Sequence, residues 1–298
     1  MHLTLLESPD WKDYELIDSG DGLKLERFGP YRFVRPEAQA IWKRALPEPT
    51  WRAVDAVFQP TGEESGGHWA FTNPSATQKP LQEKWAMAYA PIKFWAMTTP
   101  GRHLGVFPEL AAHWDWYAGL ISQANRPIKV LNLFGYTGLA SLIAAHAGAT
   151  VTHLDASKKS VAWAHENQLL SGLQNKPIRW IVDDALKFVE REARRGAFYD
   201  GIILDPPKFG RGPKGEIWEV YPSLPNLLTA CRSILSPSPL FLALTMYAVR
   251  ASGVHLHQTI TEMMQPYHGQ TDAGELVMRE KSAGRLLSHA VYARWQPA

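Results

Sequence analysis

The sequence predicts an α/β protein: a doubly wound, mostly parallel sheet with a smaller β-rich domain in front of it. Three observations predict it. After Pro127 the pattern of strand, tight turn and helix recurs along the chain. The strands in that pattern are near-continuous apolar runs, as expected of a parallel sheet covered on both faces. Before about residue 95 the texture is irregular, β-leaning and heavily punctuated by proline and glycine.

The chain has 298 residues, 45% hydrophobic and 20% charged, with a net charge of +2. That length supports one large or two modest domains, divided here as residues 1–95 and 96–298. The charge permits a nucleic-acid partner without the strongly basic footprint that would demand one. A single cysteine, Cys231, excludes an internal disulfide and a cysteine-rich zinc site. The N-terminus lacks a basic segment followed by a long apolar core, and the longest apolar run, residues 240–249, is too short to span a bilayer. A cytoplasmic protein without membrane contact is expected.

In chain order, GLKLERFGPYRFVRP alternates around Gly29-Pro30 and reads as a hairpin. Trp42, Trp51, Phe58, Trp69 and Phe71 form either the core of a small β domain or a base-stacking surface. ELAAHWDWYAGLIS sets Leu110, Trp114, Tyr117, Ala118 and Ile121 on one helical face. Strands follow at 128–134, 150–155, 178–182, 201–205 and 239–246, with helices at 137–147, 158–171, 185–195 and 223–235 between them. Two further strands are expected near 274–279 and 288–295.

Ligands in such sheets bind beyond the carboxyl ends of the strands, near the switch in strand order. The first strand runs into Asn132-Leu133-Phe134-Gly135-Tyr136-Thr137-Gly138, where two glycines either let backbone approach a ligand at a helix N-terminus or serve plain strand-to-helix turn geometry. Free N–H groups and the helix dipole there suit a carboxylate or phosphate. The second strand ends in Asp155-Ala156-Ser157; the acid can accept ribose hydroxyls or cap the next helix, a task for which Ser157 is better placed. The third leads into Asp183-Asp184-Ala185, one acid as cap and the other free to accept an adenine amino hydrogen. The fourth ends in Asp205-Pro206-Pro207-Lys208, where proline stops the strand and stiffens a carboxylate-bearing edge. A nicotinamide-linked dehydrogenase would show Gly-x-Gly-x-x-Gly in the first turn, and this chain has Gly-Tyr-Thr-Gly.

With VLNLFGYTG, Asp155, DDALKF and YDGIILDPPKF in place, residues 100–295 resemble the class I S-adenosylmethionine-dependent methyltransferases. Within them the chain is similar to the family of bacterial large-subunit ribosomal RNA methyltransferases acting on cytosine C5 and guanine N7. The resemblance implies a seven-stranded sheet whose last strand is antiparallel. It also implies that residues 134–138 take the methionine carboxylate of S-adenosylmethionine, Asp155 the ribose and Asp184 the adenine. It adds Phe107 and Glu109 as cofactor contacts. The family's nucleophilic cysteine would stand near Ala248, so cytosine-C5 chemistry, which needs a thiolate, is disfavoured. An Asp-Gln-Arg usual in relatives is replaced by residues 105–111, which contain no arginine, and the family's separate RNA-binding module is not recognisable.

The expected function is methyl transfer to a base nitrogen of RNA, with Asp205, Pro206 and Lys208 at the catalytic edge. Lys208, Arg211 and Lys214 form either a solvated loop or a clamp on an anionic substrate. A small-molecule or protein acceptor, or a non-catalytic cofactor-binding protein, are the alternatives. The histidines show no metal spacing, and no metal is expected.

Overall fold

A computed structural model describes residues 2–61, 66–72 and 83–298. The chain divides into two compact units: Met1–Leu6 with Ala111–Leu276 and His289–Ala298, and Glu7–Leu110 with Val277–Ser288.

The first unit carries the larger sheet. Among the described residues it has eight strands, in the order Leu3–Glu7, Gly269–Arg279, Leu286–Pro297, Phe241–Met246, Gly201–Leu204, Lys129–Leu133, Thr150–Asp155 and Ile178–Val182. The seven expected strands are all present. The N-terminal segment Leu3–Glu7 adds an edge strand that the sequence reading left unassigned. The five strands from Phe241–Met246 to Ile178–Val182 run parallel. Leu286–Pro297 runs antiparallel to Phe241–Met246.

Burial follows position in the sheet. Gly201–Leu204 and Phe241–Met246 are buried at every residue, whereas the edge strand Ile178–Val182 has no fully buried position. Central strands covered on both faces have no solvent side to alternate with. Leu131, Leu133, Ile202, Leu204, Leu242 and Leu244 join Phe188 and Leu227 from flanking helices in one core. The first strand has the second on one side and the fourth on the other, so strand order reverses at Lys129–Leu133.

Helices Leu139–His146, Lys158–Leu170 and Ala185–Arg194 lie within two residues of expectation. The helix Val220–Ser233 starts earlier than the expected 223 and runs through Pro225. Pro222 falls in its first turn, where an N–H would have no intrahelical partner, so proline does not mark its start. Helix Gly253–Met264 went unassigned; His255 accepts from Ser252 in its capping box at 3.1 Å.

The second unit contains a five-stranded sheet, Tyr14–Gly20, Leu23–Phe28, Tyr31–Pro36, Ala56–Pro60 and Gly67–Phe71. The expected hairpin pairs Phe28 with Tyr31, and Gly29 adopts a φ of +61° in the turn. Trp51 and Phe58 are buried, and Trp69 packs at 5.4 Å from Phe33 and 5.1 Å from Phe58. These three aromatics serve packing in this unit.

Candidate functional site

The ends of the first, second and fourth parallel strands lie side by side, because Leu133 is paired with both Leu154 and Leu204. Beyond Leu133 the chain turns sharply. Phe134 and Tyr136 have φ of +59° and +49°, a region that non-glycine residues rarely occupy. Gly135 donates to the Leu154 carbonyl at 2.9 Å and Tyr136 donates to Asp155 Oδ2 at 2.9 Å. The turn is thus tied to the second strand.

Both glycines answer to the protein's own packing. A Cβ on Gly135 would stand 2.4 Å from the His153 ring, and one on Gly138 would stand 2.7 Å from Ala164 Cβ. Gly138 also has a φ of +85°. Of the two roles open to the pair, ligand approach and plain strand-to-helix geometry, the internal contacts require the glycines for the second independently of any ligand. Asn132 is buried beneath the turn and donates to Ser141 at 2.9 Å, and Ser141 meets His153 Nδ1 at 3.0 Å. Burial pushes the His153 ring down to about 3, so it is neutral. Thr137 is buried and its carbonyl accepts from Asn167 at 2.9 Å. As N-cap of Leu139–His146, Gly138 provides no side-chain cap. Gly138 therefore offers no side-chain oxygen to the first-turn N–H groups of that helix.

Asp155 is partly exposed at the second strand end, beside Ala156. Burial raises its carboxyl above the ordinary value, opposed by N–H bonds from Ser157 at 2.8 Å and Tyr136. Ser157 caps the following helix by accepting from Ser160 at 3.2 Å. At the third strand the acids divide their roles. Asp184 caps its helix by accepting from Lys187 at 3.0 Å, with Ala185 buried just inside. Asp183 accepts from the Asp184 N–H at 2.9 Å and pairs with Arg191.

The fourth strand stops at Leu204; Pro206 is buried, while Pro207, Lys208 and Phe209 are exposed. The stretch expected as a loop is a hairpin, Phe209–Arg211 against Ile217–Glu219. Its tip is braced by Lys187–Glu216 at 2.7 Å, and Lys187 holds the Glu216 carboxyl down to about 2. Lys208, Arg211 and Lys214 are all exposed on it. Trp218, missed in the sequence reading, buries its ring at 4.9 Å from Phe134 and donates to the Pro207 carbonyl at 2.7 Å. The alternation Ile217-Trp218-Glu219 after Gly215 was the available signal. Ala248 has a φ of +51°, and the neighbouring Arg250 N–H donates to Tyr221 at 2.7 Å.

Phe107 and Glu109 belong to the second unit. The Phe107 ring lies 4.5 Å from that of His103. Glu109 is buried and its carboxyl is raised by burial, against the pull of Lys24 and Arg35. Cys231 is fully buried and burial pushes its thiol up, as befits a packing residue. Among the described residues, no cluster could hold a metal ion and no helix is long and apolar enough to cross a membrane.

A helix N-terminus whose N-cap is glycine, a half-buried carboxylate one strand over and a further acid at the next strand suit three ligand groups in sequence. These are a carboxylate, a pair of hydroxyls and an amino group. The donor set fits S-adenosylmethionine.

No family model matches the chain. It is similar to a SAM-dependent methyltransferase from Agrobacterium tumefaciens, with 49% identity and a TM-score of 0.93 over 99% of this chain and 94% of that one. A proposed SAM-dependent methyltransferase from Streptococcus mutans shares the fold, with 16% identity and a TM-score of 0.72 over 95% of this chain and 75% of that one. The ribosomal RNA large subunit methyltransferase K/L of Shewanella baltica is 38% identical over 121 residues, 40% of this chain. The chain spans only 17% of the length of that curated relative.

Proposed function

This chain belongs to the S-adenosylmethionine-dependent methyltransferases, and from that premise we propose that it methylates a base nitrogen of RNA. The observation that carries the proposal is the register of Leu133 with Leu204. It sets the Asp205-Pro206-Pro207 edge next to the turn at 134–138. Kinship with the ribosomal RNA methyltransferases over 121 residues supports RNA as the acceptor class.

Bound S-adenosylmethionine supplies an electrophilic sulfonium methyl. The chain's residues bind and orient. The N-terminus of Leu139–His146 takes the carboxylate, Asp155 the ribose hydroxyls, and Asp184 the adenine amine, since Asp184 caps its helix through one carboxylate oxygen whereas both oxygens of Asp183 are engaged by the Asp184 N–H and Arg191. Asp205 and the Pro206 carbonyl accept N–H groups of the base and aim its lone pair at the methyl. A base nitrogen with an available lone pair needs no strong general base, so alignment supplies most of the rate.

Lys208, Arg211 and Lys214 hold the RNA backbone. Changing all three to alanine should weaken binding and reduce the slope of log affinity against log salt by about 2, at roughly 0.7 per lost single-strand phosphate contact. Filter binding across a salt series measures it. An unchanged slope would remove the clamp.

A further inference from the structure

Methyl transfer needs two loops at a fixed spacing: the cofactor turn at 134–138 and the acceptor edge at 205–208. Trp218 touches both. We propose that Trp218 is the positioning residue that holds these loops in register, an inference that rests on the methyl-transfer reading.

Successive prolines cannot be anchored through their nitrogens, because neither has an N–H. Only their carbonyls can be held, and the Trp218 indole N–H donates to that of Pro207 at 2.7 Å. On the other side, Phe134 sits at a φ of +59°, a conformation that persists only when its surroundings enforce it. The Trp218 ring packs against it at 4.9 Å and 55°. One side chain thus makes a polar contact to the acceptor edge and an apolar contact to the cofactor turn.

The hairpin exists in a form that delivers this residue. Gly210 is paired with Trp218, so both face inward, while Phe209, Arg211, Ile217 and Glu219 face solvent. The hairpin base is closed by the Val220 N–H donating to the Lys208 carbonyl at 3.0 Å. Trp218 is 6% exposed and touches the sheet core as well, so it is seated from three directions.

The two contacts are separable. Trp218→Phe keeps an aromatic ring against Phe134 and deletes the N–H. Trp218→Leu removes both. Amide exchange by mass spectrometry and S-adenosylhomocysteine calorimetry read the loops without any acceptor. In Trp218→Phe, the peptide covering 205–211 should exchange about fivefold faster while that covering 134–140 stays unchanged. Cofactor-product affinity should stay within about twofold. On whichever acceptor fraction the wild type labels, kcat should fall about tenfold or more with the acceptor KM unaltered, the signature of lost alignment. Trp218→Leu should loosen both peptides and weaken S-adenosylhomocysteine binding.

Unchanged exchange at 205–211 in Trp218→Phe overturns the inference, as does faster exchange throughout the sheet, which marks a merely structural role. If the wild type labels no fraction, methyl transfer fails as a function, and the exchange pattern still decides whether Trp218 joins the loops.

Discussion

Asp155 does two tasks with one carboxylate. It holds Tyr136 and Ser157 in place through their N–H groups, and in the proposed function its remaining lone pairs accept the ribose hydroxyls. Burial raises its pKa, so on acidification it takes up a proton earlier than an exposed aspartate, whose value is about 3.9. A raised folded-state pKa means that this group's contribution to stability is full below its unfolded value and lost as pH rises through the folded one. Under the proposed ribose contact, ligand binding would run the other way, because the hydroxyls would need the carboxylate. S-adenosylhomocysteine affinity, followed by calorimetry from neutral to acid pH, should therefore fall through that window. Asp155→Asn should bind more weakly at neutral pH and show a flatter acid limb. An acid limb identical to that of the wild type would separate Asp155 from the ligand.

At the scale of elements, the turn after Lys129–Leu133 depends on Gly135 as a spacer for the His153 ring. Gly135→Ala should cost about 1–3 kcal/mol, the usual range for overpacking. His153→Ala opens room for the added methyl, so in denaturant unfolding the double variant should lose less stability than the sum of the single ones. Strict additivity would place the strain elsewhere. The sequence made the five parallel strands and three of their helices legible, the central strands because two-face burial leaves uninterrupted apolar runs such as residues 201–204. Ser157 was identifiable as a cap from its position alone. Tertiary facts were not legible. Nothing local distinguishes Asp184 as the capping acid from Asp183, which pairs with Arg191 eight residues on. The hairpin at 209–219 hid behind its glycines, and Trp218 acquired meaning only once its partners Pro207 and Phe134 were known. Leu3–Glu7 escaped because its pairing partners are more than 260 residues away in sequence.

For the whole molecule, a net charge of +2 provides little long-range pull on a polyanion, so the proposed RNA binding would have to come from a local patch. The exposed cations of the 209–219 hairpin, together with Lys208, lie next to the edge where the acceptor would sit. In the proposed function this edge delivers a methyl group to RNA. Its most direct test gives the purified protein methyl-tritiated S-adenosylmethionine and separate RNA, protein and metabolite fractions from cells lacking the gene, with Asp205→Ala alongside. Radioactivity is expected in RNA, lost in the variant and traced by nucleoside digestion to a base nitrogen. Counts confined to protein or metabolites, or RNA counts that survive Asp205→Ala, would contradict the proposed function.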